Sequence, residues 1–400
     1  MAQTRAITRK KLAALGALDF LSRALHGISR PHPSSDEEPR SFLVVEPWGI
    51  GDVVLATPLL QALRANFPRA SITLLAKTHA LPLLEHSGLA DDIISFDFPW
   101  TAHKGEGKYS PARYKMGELR RLIQRLRARQ FDVSLDARRD IRSNVITYLA
   151  GARRRIGYDF GGGAHLLTDV LASGAQDAHK VDDWLELLGP LGIPAGESFR
   201  PRLAVTPAER EQARAALRLV GVTGSRPIIG VHPGASHAVR RWKAERFSEV
   251  IDSLIARNDS DVVLFEGAGA DSGIAGARTV PRMRTGLREL MALITQCDLL
   301  VCSDSGPMHL AGALGVPVTA LFGPQRSEWY GPRGELDSVV RVDVMPCRPC
   351  FDECIFASPI CMDGITPMAV TASIVAHLER LAAVASTHGT GQISILRTSV

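Results

Sequence analysis

The stretch Asp304-Ser305-Gly306-Pro307-Met308-His309 carries the most specific chemistry in this chain. It follows an apolar run and leads into small, apolar residues, which is typical of a buried strand running into a helix. Ser303, Asp304 or Ser305 can cap that helix. Pro307 suits its first position. The free amides and the positive dipole of a helix start attract anions, above all phosphate. The alternative is a plain junction that binds nothing.

Asp52 offers a second kind of chemistry. It ends the stretch Glu46-Pro47-Trp48-Gly49-Ile50-Gly51-Asp52, just ahead of a predicted helix at 53–66. The positive end of a helix favours the ionised carboxylate, and an ionised carboxylate can accept a proton from an attacking hydroxyl group. Asp52 is therefore a candidate general base. The alternative is that Asp52 only caps its helix.

The glycines of this loop do not fit a dinucleotide-binding site. The fingerprint needs a third glycine, where this chain has Val54. It also needs an acid after the second strand to hold a ribose, and that strand ends at Ala76-Lys77. An NAD(P)-dependent oxidoreductase is therefore disfavoured.

A basic turn follows a second glycine-containing loop. The loop reads His232-Pro233-Gly234-Ala235-Ser236, and Arg240-Arg241-Trp242-Lys243 comes next. One of the two arginines can reach the anion at the helix start near Gly306, which gives that anion a second, charged partner. The alternative is a solvated basic turn with Trp242 packed on the domain surface.

Short β-branched runs alternate with longer amphipathic stretches, which is the pattern of an α/β fold. Glycine and proline cluster at 191–206, where we place an interdomain linker. The predicted segments are an extension and linker at 1–40, Rossmann-like domains at 41–200 and 207–385, and a tail at 386–400. The predicted strands are 42–45, 71–76, 92–96, 131–135, 228–231, 262–265, 299–302 and 318–322. Two facing doubly wound domains would place both glycine loops on one interdomain cleft.

The composition limits the classes of protein. The chain has 400 residues, 45% of them hydrophobic, and a net charge of +5, which allows two cores. The mild positive charge suits acidic ligands and falls short of a nucleic-acid binder. The sequence has no apolar run of about 18 residues, so we expect no membrane span.

Residues 1–27 predict a basic amphipathic helix. Its basic residues are Arg5, Arg9, Lys10 and Lys11, and its apolar positions are Leu12, Leu15, Leu18, Leu21 and Leu25. Asp19 and Arg23 interrupt the apolar region, which disfavours a signal peptide and favours a cytoplasmic protein. We expect this helix to dock on the protein itself, with peripheral contact at the cytoplasmic face of the inner membrane as the alternative.

Taken together, several segments resemble family 9 of the glycosyltransferases, the bacterial heptosyltransferases of lipopolysaccharide core assembly. They are Gly51-Asp52-Val53-Val54-Leu55-Ala56-Thr57-Pro58, Val231-His232-Pro233-Gly234-Ala235-Ser236, Arg241-Trp242, Asp304-Ser305-Gly306-Pro307-Met308-His309-Leu310-Ala311 and Phe322-Gly323-Pro324. The resemblance implies a GT-B fold with the acceptor on the first domain and a nucleotide-sugar donor, ADP-heptose, on the second. It also implies inversion at the anomeric carbon without a metal or other cofactor. The Asp-x-Asp triplet Asp259-Ser260-Asp261 precedes a strand, at the wrong edge of a sheet for a metal-dependent transferase.

The same resemblance assigns Asp52 as the base and a set of donor-binding residues. That set is Ser236, Arg240, Arg241, Asp271, Asp304, Ser305, Gly306 and His309. Many family members have a lysine where this chain has Arg240, which leaves the nucleotide and the sugar open, including UDP, GDP and dTDP sugars. Asp271 is the candidate for holding the ribose, and Glu266 is the second choice. A catalytically silent nucleotide-binding protein of the same fold is the alternative function.

Basic residues of the first domain form two groups. The first, Arg120, Arg121, Arg125, Arg127 and Arg129, reads as a solvated helix face. The second, Arg138, Arg139 and Arg142, follows a strand end, and we expect it with Gly51 to bind an anionic glycolipid or glycan acceptor. Residues 153–155 extend this surface.

Four cysteines form a C-x2-C-x3-C-x6-C cluster. They are Cys347, Cys350, Cys354 and Cys361. Zinc could bind four such thiolates, but the paired C-x2-C knuckles of a zinc ribbon are missing. Similar stretches occur in some family members, so we interpret the cluster as a family feature of unknown role, with a metal site as the alternative.

Overall fold

The computed structural model describes residues 37–101, 115–172, 178–194, 199–267, 273–274 and 280–388. Most of the predicted N-terminal extension, with its membrane contact, and most of the C-terminal tail lie outside these residues. No helix within the described ranges is both long and apolar enough to cross a membrane. The chain divides into two compact units between Pro201 and Arg202.

The first unit is a six-stranded parallel sheet with flanking helices. Its strands are β1 (Ser41–Glu46), β2 (Ser71–Ala76), β3 (Asp92–Ser95), β4 (Val133–Asp136), β5 (Arg154–Tyr158) and β6 (Asp169–Leu171). Its helices are α1 (Ile50–Asn66), α2 (Ala80–Leu84), α3 (Met116–Ala128), α4 (Ile141–Ala150) and α5 (Lys180–Glu186), with 3-10 turns at Pro99–Thr101, Ala164–Leu166 and Gly189–Leu191. The strand order is β3-β2-β1-β4-β5-β6, so the order reverses between β1 and β4, where such sheets form a ligand-binding crevice.

The second unit repeats this topology. Its strands are β7 (Ile228–His232), β8 (Asp261–Gly267), β9 (Arg282–Thr285), β10 (Leu299–Ser303), β11 (Val318–Phe322) and β12 (Ser338–Arg341). Its helices are α6 (Pro207–Leu219), α7 (Ala244–Arg257), α8 (Leu287–Ile294), α9 (Gly306–Ala313), α10 (Ser327–Tyr330), α11 (Ile360–Asp363) and α12 (Pro367–His388), with a 3-10 turn at Ala238–Arg240. The order β12-β11-β10-β7-β8-β9 puts the reversal between β7 and β10.

Apolar runs form the central strands because helices cover both faces of each sheet. All five residues of β10 are buried, as are five of the six residues of β1. Trp242 is also a core residue: it packs edge-on against Phe247 at 5.0 Å, and its indole N–H donates to the Ile365 carbonyl at 3.1 Å. The alternative interpretation, in which Trp242 packs on the domain surface, is therefore wrong.

The eight strands predicted from the sequence are present, and β5, β6, β9 and β12 are additional. Two helix starts differ from expectation. Helix α1 begins at Ile50, so Gly51 and Asp52 lie inside its first turn and not ahead of it. Helix α9 begins at Gly306, which makes Pro307 its second residue. Helix α1 starts earlier because the Asp52 carboxylate accepts the backbone N–H of the N-cap residue Gly49 at 3.0 Å. Helix α9 starts at Gly306 because Ser305, with an extended backbone, is its N-cap.

The close packing between β7 and its neighbours predicts a large effect of one added methyl group. A Cβ at Gly230 would lie 2.6 Å from Cε2 of Phe265 and 3.0 Å from the Cys297 sulfur. We expect Gly230→Ala to lower the free energy of unfolding by about 1–3 kcal/mol, measured by urea denaturation. In the control Gly312→Ala, the new methyl group on α9 meets nothing within 4 Å, so stability should hold or rise slightly. Equal stability of the two variants would contradict this packing.

Candidate active site

Asp52 faces both its own helix and a neighbouring arginine. One carboxylate oxygen accepts the backbone N–H of Gly49 at 3.0 Å, and the other accepts Nη1 of Arg138 at 2.8 Å. The side chain keeps 26% of its surface exposed. The capping role and solvent access are thus compatible, and the Asp52 carboxylate remains able to meet a ligand.

Two further carboxyl groups lie beside Arg138. Glu46, at the end of β1, is fully buried; it accepts Arg138 Nη1 at 3.3 Å and the backbone N–H of Trp48 at 3.2 Å. Burial raises the pKa of Glu46 to about 8, and the nearby charges of Asp52 and Asp136 act in the same direction, against Arg138. Asp136, at the end of β4, accepts the backbone N–H of Arg138 at 2.8 Å, and its burial raises its pKa to about 7.

The structure brings the predicted acceptor-binding arginines to this edge of the sheet, but each contacts a carboxylate of its own unit. Arg139 pairs with Asp183 at 2.9 Å and stacks over the ring of Tyr158. Arg142 pairs with Asp140, with Nε to Oδ1 at 2.8 Å. An anionic acceptor would therefore meet charges that are already partly balanced.

Residues 153–155 lie at the amino end of β5, beside the start of β4, so they do not extend the basic surface that follows the carboxyl end of β4. Arg154 and Arg155 lie within β5. Arg154 Nη2 donates to Asp169 at 2.6 Å, and Arg155 Nε donates to the Leu166 carbonyl at 2.7 Å. Sheet pairing draws these two guanidinium groups into contacts with neighbouring segments.

In the second unit, the predicted anion site follows β10. Ser305 is the N-cap of α9 with an extended backbone, but its hydroxyl donates to the Ser303 carbonyl at 3.0 Å and does not cap the helix. The first amides of α9 are therefore not used by that side chain. Asp304 is buried, and Gly306 and His309 are half-buried in the first turns of the helix.

Arg240 is the arginine that reaches this helix start. Its Nη1 lies 3.1 Å from Asp304, while Nε and Nη2 each lie 2.6 Å from an oxygen of Asp352. Burial alone would lower the pKa of Arg240, but the two carboxylates raise it overall, so the guanidinium stays charged. Asp352 did not stand out in the sequence because its partner is more than a hundred residues away.

Ser236 and Arg241 lie on the same loop and are exposed. Arg241 Nε donates to the Ala235 carbonyl at 2.8 Å, so this guanidinium bonds to its own loop.

Two buried polar groups near the ends of β10 and β11 have no hydrogen-bond partner among the described residues. The hydroxyl of Ser303 and the amide oxygen of Gln325 accept no hydrogen bond from any described residue. Ser303 is fully buried and Gln325 is 4% exposed. Because buried polar atoms are nearly always satisfied, these two suit a polar ligand; the sequence offered no signal for Gln325.

The two acids predicted as candidates for holding the ribose are Asp271 and Glu266. Asp271 lies outside the described residues. Glu266, the second choice, is buried at the end of β8, where it accepts Arg282 at 3.1 Å and Arg284 at 2.8 Å. Its carboxylate already serves two guanidinium groups.

The four clustered cysteines line one small pocket as free thiols. Burial raises the pKa of Cys350 to about 11 and also raises that of Cys361, which keeps these two protonated at neutral pH. Across the described ranges, no three His, Cys, Asp or Glu side chains are grouped so that they could hold a metal ion.

Known proteins with related sequences and structures point to one family. The model of glycosyltransferase family 9 (heptosyltransferase) matches residues 119–358. Lipooligosaccharide heptosyltransferase 2 of Haemophilus influenzae is 25% identical over 321 residues, covering 76% of this chain and 88% of that protein.

Two solved structures share the fold. The Escherichia coli ADP-heptose lipopolysaccharide heptosyltransferase II aligns with a TM-score of 0.67 at 24% identity, over 85% of this chain and 99% of that one. A family 9 glycosyltransferase of Veillonella parvula aligns with a TM-score of 0.72 at 22% identity, over 87% of this chain and all of the other. The prediction of a GT-B fold built from two Rossmann-like domains is confirmed.

The burial of Glu46 predicts how stability depends on pH. A carboxyl whose pKa is raised in the folded state stabilises the fold below its unfolded pKa near 4.5, and that contribution is lost as pH rises through about 8. Glu46→Gln removes the ionisation. Between about pH 5 and 8, we expect the free energy of unfolding of the variant, minus that of the wild type, to rise by on the order of 1 kcal/mol per pH unit. Urea denaturation at several pH values is the measurement. The control Glu118→Gln removes a carboxyl whose side chain is 44% exposed. A stability difference between Glu46→Gln and the wild type that does not change with pH would refute the buried neutral carboxyl.

Proposed function

This chain belongs to glycosyltransferase family 9 and is a glycosyltransferase, and we propose that it transfers a heptose from ADP-heptose to a glycolipid or glycan of the lipopolysaccharide core. The observation that carries the proposal is the pairing of a half-buried, charged Arg240 with the start of α9 at the β7/β10 reversal. The names of the Haemophilus and Escherichia proteins supply the sugar, the nucleotide and the acceptor class.

The second unit would hold the donor diphosphate. The positive end of α9 and its first amides favour phosphate oxygens, although Pro307 has no amide hydrogen to give. Arg240 brings a guanidinium to this helix start, where Asp304 and Asp352 accept its hydrogen bonds. A diphosphate that displaced one of these contacts would gain that positive charge as its own negative charge grows. Ser303 and Gln325 offer buried polar atoms to the rest of the donor.

The first unit would supply the base. In an inverting transfer, the acceptor hydroxyl attacks the anomeric carbon while the bond from that carbon to the diphosphate oxygen breaks. Asp52 takes the hydroxyl proton, and the bond electrons leave with the nucleoside diphosphate. Gly51, Arg139 and Arg142 lie on the same sheet edge and are the proposed contacts for an anionic acceptor.

Replacing the base tests the catalytic step. We expect Asp52→Asn to lower kcat about 100-fold or more, because the amide keeps the size of the side chain but cannot accept the proton. Transfer of heptose from ADP-heptose to a core acceptor is the measurement, and ADP affinity is the internal control, expected to be unchanged. Retained turnover would rule out Asp52 as the base.

Nucleotide binding tests the donor. Titration calorimetry with ADP, GDP, UDP and dTDP in parallel should show a clear preference for ADP. Arg240→Gln should weaken ADP binding about 10- to 100-fold, since a charged hydrogen bond is lost. The control Arg257→Gln removes an exposed arginine at the end of α7, which pairs with Asp259. This variant should bind ADP as the wild type does. A preference for UDP or GDP would redirect the donor assignment, and ADP binding without any sugar transfer would favour a silent nucleotide-binding protein.

A further inference from the structure

The β1/β4 reversal holds more negative than positive groups around Arg138. Three carboxyl groups, those of Glu46, Asp52 and Asp136, accept hydrogen bonds from the side chain or backbone of this one residue. We call these four residues the Arg138 cluster. Its single guanidinium can balance only one full negative charge, so the protonation of the other carboxyls decides where that charge acts.

Arg138 is fixed in place rather than reaching into solvent. Its guanidinium lies 5.0 Å from the ring centroid of Trp48, and only 18% of its side chain is exposed. The same Nη1 atom contacts both Asp52, at 2.8 Å, and Glu46, at 3.3 Å. An anionic acceptor at Arg138 would have to displace contacts to two carboxyl groups.

The shorter contact goes to the carboxyl that is partly exposed, and the longer one to the carboxyl that is buried. Burial raises the pKa of Glu46 to about 8, so at neutral pH Glu46 is mostly protonated. The charged groups that act on it are Asp52 on α1, Asp136 at the end of β4 and Arg138 just after β4. His79 follows β2 and interacts with Asp52; burial lowers its pKa, so it is neutral at pH 7.

We propose that Arg138 is a positioning residue for Asp52 and that the proton on Glu46 directs the Arg138 guanidinium to Asp52 alone. This inference rests on the proposed role of Asp52 as the base. Arg138 would hold the carboxylate in one orientation while leaving its exposed side open to the acceptor hydroxyl. Loss of that proton gives Nη1 a second carboxylate to serve, and the hold on Asp52 weakens.

The proposal has a kinetic consequence at alkaline pH. As the pH rises through about 8, Glu46 ionises and competes for Arg138. The extra negative charge makes Asp52 a slightly stronger base, but a loosely held base loses more through orientation than it gains in strength. The value of kcat should therefore fall on the alkaline side with a midpoint near pH 8.

Three variants test this proposal through pH profiles of kcat between pH 6 and 10. Glu46→Gln should remove the alkaline fall, because a glutamine cannot ionise. Arg138→Gln should lower kcat about 10- to 100-fold and also lose the fall, with the KM for the acceptor changed less than twofold. Arg138→Lys keeps the charge without the planar fork and should recover part of the rate, which separates positioning from a failure to fold.

Arg64→Gln is the matched control. Arg64 lies in the last turn of the same helix, α1, and pairs with Asp91 at 2.6 Å. Its removal should leave both kcat and the pH profile as in the wild type.

The outcomes separate this proposal from the proposed function. Heptose transfer by the wild type with an unchanged kcat and a raised acceptor KM in Arg138→Gln would make Arg138 an acceptor-binding residue and overturn the positioning role. A wild-type alkaline fall retained in Glu46→Gln would overturn the part assigned to Glu46. A wild type that binds ADP but transfers no sugar would overturn the proposed function and the positioning role with it.

Discussion

A parallel sheet places the carboxyl ends of all its strands at one edge, and this constraint determines where every candidate residue lies. In each unit the order of strands reverses once, between β1 and β4 or between β7 and β10. The loops that follow those strands diverge at the reversal and leave a crevice. Asp52 and Arg138 follow the first pair of strands, and Arg240 and Asp304 follow the second. The candidate residues of the two units therefore lie at corresponding places in the two sheets.

Both reversals use the same electrostatic arrangement, in which one guanidinium serves several carboxyl groups. Arg138 contacts Asp52 and Glu46, and Arg240 contacts Asp304 and Asp352. The two arrangements differ in the exposure of the acids: the Asp52 side chain is 26% exposed, whereas those of Asp304 and Asp352 are 3% and 10% exposed. Full burial of Glu46 leaves it protonated at neutral pH, whereas the acids around Arg240 keep that arginine strongly charged. The first arrangement leaves one carboxylate partly exposed, as the proposed base requires.

The residues that could be predicted from the sequence are those that lie in a recognisable local pattern. Asp52 and Asp304 stand at strand-to-helix turns, whose glycine, serine and proline residues are recognisable without a structure. The strands of both sheet centres were predictable as apolar runs. Strands β5 and β9 were missed because each carries two arginines, which on an isolated segment look like a solvated turn. Sheet pairing and ion pairs with distant acids, such as Glu266 for β9, make these strands stable.

Residues that act through distant partners could not be found in this way. In the sequence Glu46 reads as the residue that follows the predicted strand 42–45. Only the folded structure shows that it is buried and shares Arg138 with Asp52. Asp352 lies in the cysteine-rich segment, and only folding brings it to Arg240. The interdomain linker at 191–206 was predicted from a cluster of glycine and proline. The chain divides into its two compact units within that range, between Pro201 and Arg202.

The contact with Asp352 also shows what an arginine at position 240 can do that a lysine could not. A lysine ammonium is a compact point charge and cannot present a planar pair of donors to one carboxylate. The guanidinium uses Nε and Nη2 for the two oxygens of Asp352 and keeps Nη1 for Asp304. A single side chain thereby joins the cysteine-rich segment to the residue that precedes α9. The residue types at 240 and 352 are thus parts of one interaction, and a lysine at 240 would have to give up one of the two acids.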